Sequence, residues 1–191
     1  MRTPAPHFQL HPHQQQALRD LNQVWTQGHP RATLTMPCGT GKTVVMAGLL
    51  DTDPTAHRTL VCVPTVQLLV QTANVLRRAR PSARLIAVCS RQGATTDDFT
   101  AAGTVDSDDI GLEHASEALA VTITTDPDQL TDLLAANADV LVVATYASTP
   151  AVAVATAAAG ITWDLLICDE AHRTAGVADK AWALPLDNSI L

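Results

Sequence analysis

Met36-Pro37-Cys38-Gly39-Thr40-Gly41-Lys42-Thr43 decides how this chain is read. A short β-branched run, residues 33–36, leads into it, and a helical pattern, residues 41–50, leads out. A strand, a glycine-containing turn and a helix in that order make a cradle for anions. Gly39 and Gly41 let successive backbone N–H groups turn inward with no Cβ in the way, and the positive end of the helix faces whatever the turn holds. Pro37, Cys38, Gly39, Thr40, Gly41, Lys42 and Thr43 are therefore the candidate triphosphate-binding residues. Lys42 supplies charge for the β and γ phosphates, and the Thr43 hydroxyl is the expected Mg2+ ligand. The strict phosphate-loop pattern has glycine where this chain has Met36, so the assignment rests on the strand–turn–helix context as well as on the letters.

Working outward, residues 59–63, 85–89, 140–145 and 165–168 read as further strands, and 12–27, 66–78 and 128–136 as helices. Short apolar strands alternating with helices imply an α/β domain, a mainly parallel sheet with helices on both faces. Asp126-Pro127 marks one helix start, an N-cap acceptor followed by a residue whose backbone angle is already helical. Residues 90–118 break the rhythm with seven acidic side chains and little apolar periodicity, and read as an exposed acidic insertion.

The chain has 191 residues, 47% of them hydrophobic, enough for one domain with a core, spanning 1–191. Its net charge of −7 leaves no global basic surface for phosphate backbones, so any nucleic-acid contact has to be local. Arg77, Arg78, Arg80, Arg84 and Arg91 form the basic cluster, read as a solvated helix end opposite the acidic segment. Cys38, Cys62, Cys89 and Cys168 have neither C-x-x-C spacing nor a histidine at metal spacing, which fits reduced cysteines in a cytoplasmic protein. Residues 140–163 carry no charge, yet Pro150, the threonines and the alanines suit a buried strand followed by an Ala-rich helix rather than a membrane span. No membrane partner is expected.

Downstream, the apolar strand Leu165-Leu166-Ile167-Cys168 delivers Asp169-Glu170-Ala171-His172 at its C-terminal end, where open α/β sheets bind ligands. Two adjacent acids can divide the work: Asp169 holds Mg2+ through its water shell, and Glu170 orients and deprotonates the attacking water. With Lys42 they form the candidate catalytic set.

With these motifs in this order, the chain resembles superfamily 2 helicases of the DEAH-box type, especially the branch containing the motor subunits of type I and type III restriction enzymes. Asp169-Glu170-Ala171-His172-Arg173-Thr174-Ala175-Gly176 is the most specific match. Leu10-His11-Pro12-His13-Gln14 resembles the adenine-recognition motif, with Gln14 reading the base edge; His11 and His13 stand where that branch commonly has an arginine and an aromatic residue. Residues 63–71, including Pro64, Thr65 and Gln71, resemble motif Ia, and Thr145-Tyr146-Ala147-Ser148 resembles motif Ib. In the family both touch the backbone of a bound strand, and hydroxyls and N–H groups at helix starts suit phosphates. His172 is implied to couple the nucleotide site to the strand-binding face.

The resemblance implies a RecA-like ATP-binding domain using ATP and Mg2+, partnered by nucleic acid, DNA ahead of RNA, and by a second RecA-like domain that carries an arginine finger. It also implies a strand ending in motif III, which the sequence through Leu191 does not show. On that reading the domain lacks its motif III strand, is incomplete at its C-terminus, is marginally stable alone and hydrolyses ATP poorly by itself. Two other classes stay open: a phosphate-loop ATPase acting on something other than nucleic acid, and a non-catalytic interaction domain.

Overall fold

Five parallel strands, β1 (Arg58–Val63), β2 (Arg84–Val88), β3 (Thr122–Thr124), β4 (Val140–Thr145) and β5 (Leu165–Cys168), form one sheet in the computed structural model. Their order is β3-β2-β4-β1-β5. Residues 9–53, 55–89 and 121–171 are described; the acidic segment 90–118, Arg91 and His172 lie outside them. β4 occupies the middle, with Val142 opposite both Leu60 of β1 and Ile86 of β2. The strand starts are tied across the sheet: Val140 N–H donates to the His57 carbonyl at 2.9 Å, and Arg58 N–H donates to Asp164 Oδ2 at 2.8 Å.

Parity explains why these runs are apolar throughout. Leu60, Cys62, Ile86, Val88, Val142 and Ala144 share one face, and Val61, Leu85, Ala87, Leu141 and Val143 alternate to the other. Every one of them is buried, as a parallel sheet covered on both faces requires.

Two helices that pack on each other, α4 (Pro127–Ala136) and α5 (Thr149–Ala159), supply Leu130, Leu134, Val152 and Ala155 to the core built on the first face. Each fully buried leucine there contributes about 1.5–3 kcal/mol. α4 starts as the sequence implies, with the Asp126 carboxylate accepting from Asp128 N–H at 3.0 Å. The 140–163 segment is the expected strand and Ala-rich helix, closed by Trp163, whose indole N–H donates to Thr156 Oγ1 at 3.1 Å. No helix among the described residues is long and apolar enough to cross a membrane.

The described residues divide into two compact units, one of Met1–Pro54 with Val75–Pro81 and one of Thr55–Asn74 with Ser82–Leu191. The second contains the whole sheet. The first contains α1 (Pro12–Thr26) and α2 (Lys42–Thr52), which approach closely at Gly48, where a Cβ would stand 2.9 Å from Leu18 Cδ1. α3 (Val66–Ala79) ends in Arg77 and Arg78, cations that suit the negative end of its dipole.

Two expectations need correction. The strand expected at 33–36 does not form: the segment has no regular structure, and Leu34 is exposed. No described strand pairs with it, and an extended run without a ladder partner has nothing to hold it. Conversely, the sheet has a strand at Thr122–Thr124, where none was expected, pairing Ile123 with Ala87.

Candidate functional site

Within the first unit, the glycine-containing turn is built as the sequence implies. Gly39 and Gly41 both have positive φ, 77° and 83°, and Gly41 is the N-cap of α2, so Lys42 is its first helical residue. Thr40 closes the turn on itself, its hydroxyl donating to the Pro37 carbonyl at 2.7 Å. Cys38 is exposed, and Lys42 and Thr43 are half-buried.

Gln14 is placed to act on this turn. Its amide nitrogen donates to the Thr40 carbonyl at 3.0 Å, while its Oε1 accepts from the His11 N–H at 2.9 Å. Both ends of a nearly inaccessible side chain are thus engaged, and the amide lies so close to the turn that a Cβ on Gly41 would meet it at 2.5 Å. His13 Nε2 stands 3.1 Å from the same carbonyl and its ring stacks on His11. An open groove beside these residues is lined by His13, Gln16, Asp20, Leu34, Met36 and Thr40.

In the second unit, the parallel sheet brings the C-terminal ends of its strands to one edge, and with them Pro64 and Thr65 after β1, Thr145 and Tyr146 at the end of β4, and Asp169 and Glu170 after β5. Asp169 N–H continues the β1–β5 ladder, donating to the Cys62 carbonyl at 2.9 Å. Its buried carboxylate accepts from the Glu170 N–H through Oδ1 at 3.0 Å. Glu170 has φ 53°, and no other non-glycine residue among those described has a positive φ. A backbone of this kind costs about 1–3 kcal/mol and collects at sites where a side chain has to be aimed.

Of the residues expected at a nucleic-acid face, Thr65 and Gln71 are exposed and Pro64 is half-buried. Thr65 Oγ1 accepts from Leu68 N–H at 3.2 Å and so caps α3. Thr145 is buried, its hydroxyl 2.9 Å from Ser148 Oγ. Tyr146 has its side chain wholly enclosed, and its hydroxyl donates to the Asp169 carbonyl at 2.8 Å. This bond is not legible in the sequence, because it depends on which strands are neighbours.

The four cysteines are unbridged. Cys62 and Cys168 are register partners on β1 and β5. The neighbouring Cys168 thiol, with burial, pushes Cys62 well above its ordinary range, and Cys168 is drawn down chiefly by Cys62. Burial first, then Cys168 and Cys62, pushes the Tyr146 phenol far up, so it is a neutral donor at all working pH. No group of three or more histidine, cysteine, aspartate or glutamate side chains that could hold a metal ion occurs among the described residues.

A five-stranded parallel sheet of this order with its helices is that of a RecA-like α/β domain. The model of the ResIII family, type III restriction enzyme res subunit, matches residues 7–184, and the chain belongs to that family. Membership of that family supports an ATPase/helicase-type motor domain. A nuclease-deletion mutant of the Type ISP restriction-modification enzyme LlaGI, solved with a DNA substrate mimic, has the same fold at a TM-score of 0.68 and 24% identity. The match covers 96% of this chain and 16% of that one. A search of curated proteins finds no significant match.

Proposed function

We propose that this domain binds ATP with Mg2+ and uses its hydrolysis to move along nucleic acid, DNA ahead of RNA, in company with a second RecA-like domain. The observation that carries the reading is the turn at Gly39 and Gly41, two left-handed residues directly ahead of Lys42 at the start of α2, in a chain of the ResIII family. Backbone amides of 39–43 and the Lys42 ammonium hold the phosphates. The adenine takes the groove beside His13, and Gln14 exchanges its bond to the Thr40 carbonyl for one to the base edge.

Thr43 and Asp169 are the residues that would hold a magnesium ion, Asp169 through water, and such an ion would supply positive charge against the transferring phosphoryl group. Glu170 accepts a proton from the attacking water, and His172 relays the state of the nucleotide toward the strand-binding face. Thr65 and Gln71 carry that face, and Pro64 and Thr145 shape it.

The LlaGI enzyme was solved with a DNA substrate mimic, which favours DNA as the track. The test joins the domain to a cognate second RecA-like domain and follows phosphate release with and without single- or double-stranded DNA or RNA. DNA stimulation abolished by Lys42→Ala and by Glu170→Gln is expected. A rate that no nucleic acid alters would overturn the motor reading in favour of an ATPase with another substrate.

A further inference from the structure

Tyr146 spans the carboxyl edge of the sheet. It follows β4, whereas Asp169 follows β5, and β1 lies between those two strands. Neighbouring strands lie about 4.8 Å apart, so the hydroxyl reaches past one whole strand to find the Asp169 carbonyl. A phenol is long enough to do this while its ring stays in the core cluster that includes Cys62 and Ala144.

The bond falls on a particular peptide. The plate joining Asp169 to Glu170 is held at both ends, its C=O by Tyr146 Oη and its N–H by Asp169 Oδ1. The next torsion along the chain is the φ of Glu170, at 53° in the left-handed region that a glutamate rarely occupies. Fixing the plate fixes the axis about which that torsion turns, and hence the direction in which the Glu170 side chain leaves the sheet. It also holds the Asp169 carboxylate, which the Glu170 N–H engages. Tyr146 is itself anchored, since its own carbonyl accepts from Thr149 Oγ1 at 2.8 Å at the start of α5.

We propose that Tyr146 is a positioning residue for the acidic pair, its hydroxyl orienting the 169–170 peptide so that Asp169 meets the magnesium ion and Glu170 points at the attacking water. This rests on the roles given to Asp169 and Glu170 above.

The test uses the whole chain and measures ATP binding as Mg2+ is titrated, with an EDTA arm for metal-free binding. Tyr146→Phe removes one oxygen and leaves the ring. The expected result is unchanged affinity in EDTA and a rise of about 10-fold or more in the Mg2+ concentration giving half of the Mg2+-dependent gain, the scale at which partners of metal ligands act. Leu130→Ala, a core change on α4, serves as the comparison: it lowers the Tm and leaves the Mg2+ midpoint where it was. A Tyr146→Phe midpoint equal to wild type, or an equal shift in Leu130→Ala, overturns the proposal. Asp169→Asn separates this from the underlying reading. If that variant keeps the wild-type Mg2+ midpoint, or wild type shows no Mg2+-dependent binding, the role given to Asp169 is wrong and the inference goes with it.

Discussion

Replacing Gly41 by alanine perturbs the glycine turn in two separable ways. The φ of 83° forces an L-residue into the left-handed region, at a cost of about 1–2 kcal/mol. The new Cβ would also stand 2.5 Å from Gln14 Nε2, so the amide has to swing away and the bond to the Thr40 carbonyl is lost, costing about 0.5–1.5 kcal/mol more. Gly39 supplies the control, because its φ of 77° carries the same backbone term and nothing lies within 4 Å of its Cβ position. Gly39→Ala is therefore expected to lose about 1–2 kcal/mol and Gly41→Ala about 2–3 kcal/mol. Urea unfolding followed by tryptophan fluorescence reads the loss, with Trp25 in α1 of the same unit as a reporter. In a Gln14→Ala background the side chain in the way is gone, and Gly41→Ala should cost no more than Gly39→Ala. That makes a coupling of about 1 kcal/mol between positions 14 and 41. Equal losses for the two glycines, or a Gly41→Ala penalty indifferent to residue 14, would refute the idea that Gln14 braces the turn.

Leu134→Ala, fully buried between α4 and the sheet, is expected to cost about 2–5 kcal/mol in the same denaturation assay; a loss below 1 kcal/mol would mean the core closes over the gap. Asp126→Ala removes the N-cap of α4 and should cost about 1 kcal/mol, with Asp126→Asn restoring most of it. Tyr146 is the chain's one tyrosine, so tyrosinate absorbance near 295 nm (about the usual wavelength for an ionised phenol) reports on it alone. Because folding raises its pKa, the stabilisation is complete below the ordinary value of 10.0 and declines as pH rises beyond it, where only the unfolded chain ionises. Tyrosinate should appear with unfolding rather than ahead of it, and Tyr146→Phe should flatten the fall in stability above that pH.

Much of the sheet was legible because its inner strands are buried on both faces. The run at 140–144 is apolar without interruption, and the ends of β4 and of the half-buried β5 coincide in structure and sequence. The start of α4 was equally plain, since Asp126 and Pro127 act through local geometry alone. Residues 122–124 escaped notice because three residues are too few to show a period. The 33–36 run has strand composition but no described partner, and β structure is a property of pairs.

At the candidate site, the turn at 37–43 and the pair at 169–170 were readable as local words. What lay beyond reading were links set by strand order. Tyr146 meets Asp169 because β4, β1 and β5 are consecutive in the sheet, although the residues are far apart in sequence. The same adjacency pairs Cys62 with Cys168. Gln14 was singled out for its place in a motif, yet its bond to Thr40 needed the approach of α1 to the turn.

The central place of β4 also sets a schedule for a chain leaving the ribosome. β1 and β2 emerge first, but they are not each other's partners, and both wait for the strand that lies between them. The 57 positions from Val88 to Thr145 take about 3–11 s to make at ordinary elongation rates. For those seconds two apolar strands have bare hydrogen-bonding edges in a crowded cell, and a chaperone or a slow codon placed there would act on the most vulnerable stage in the life of this domain.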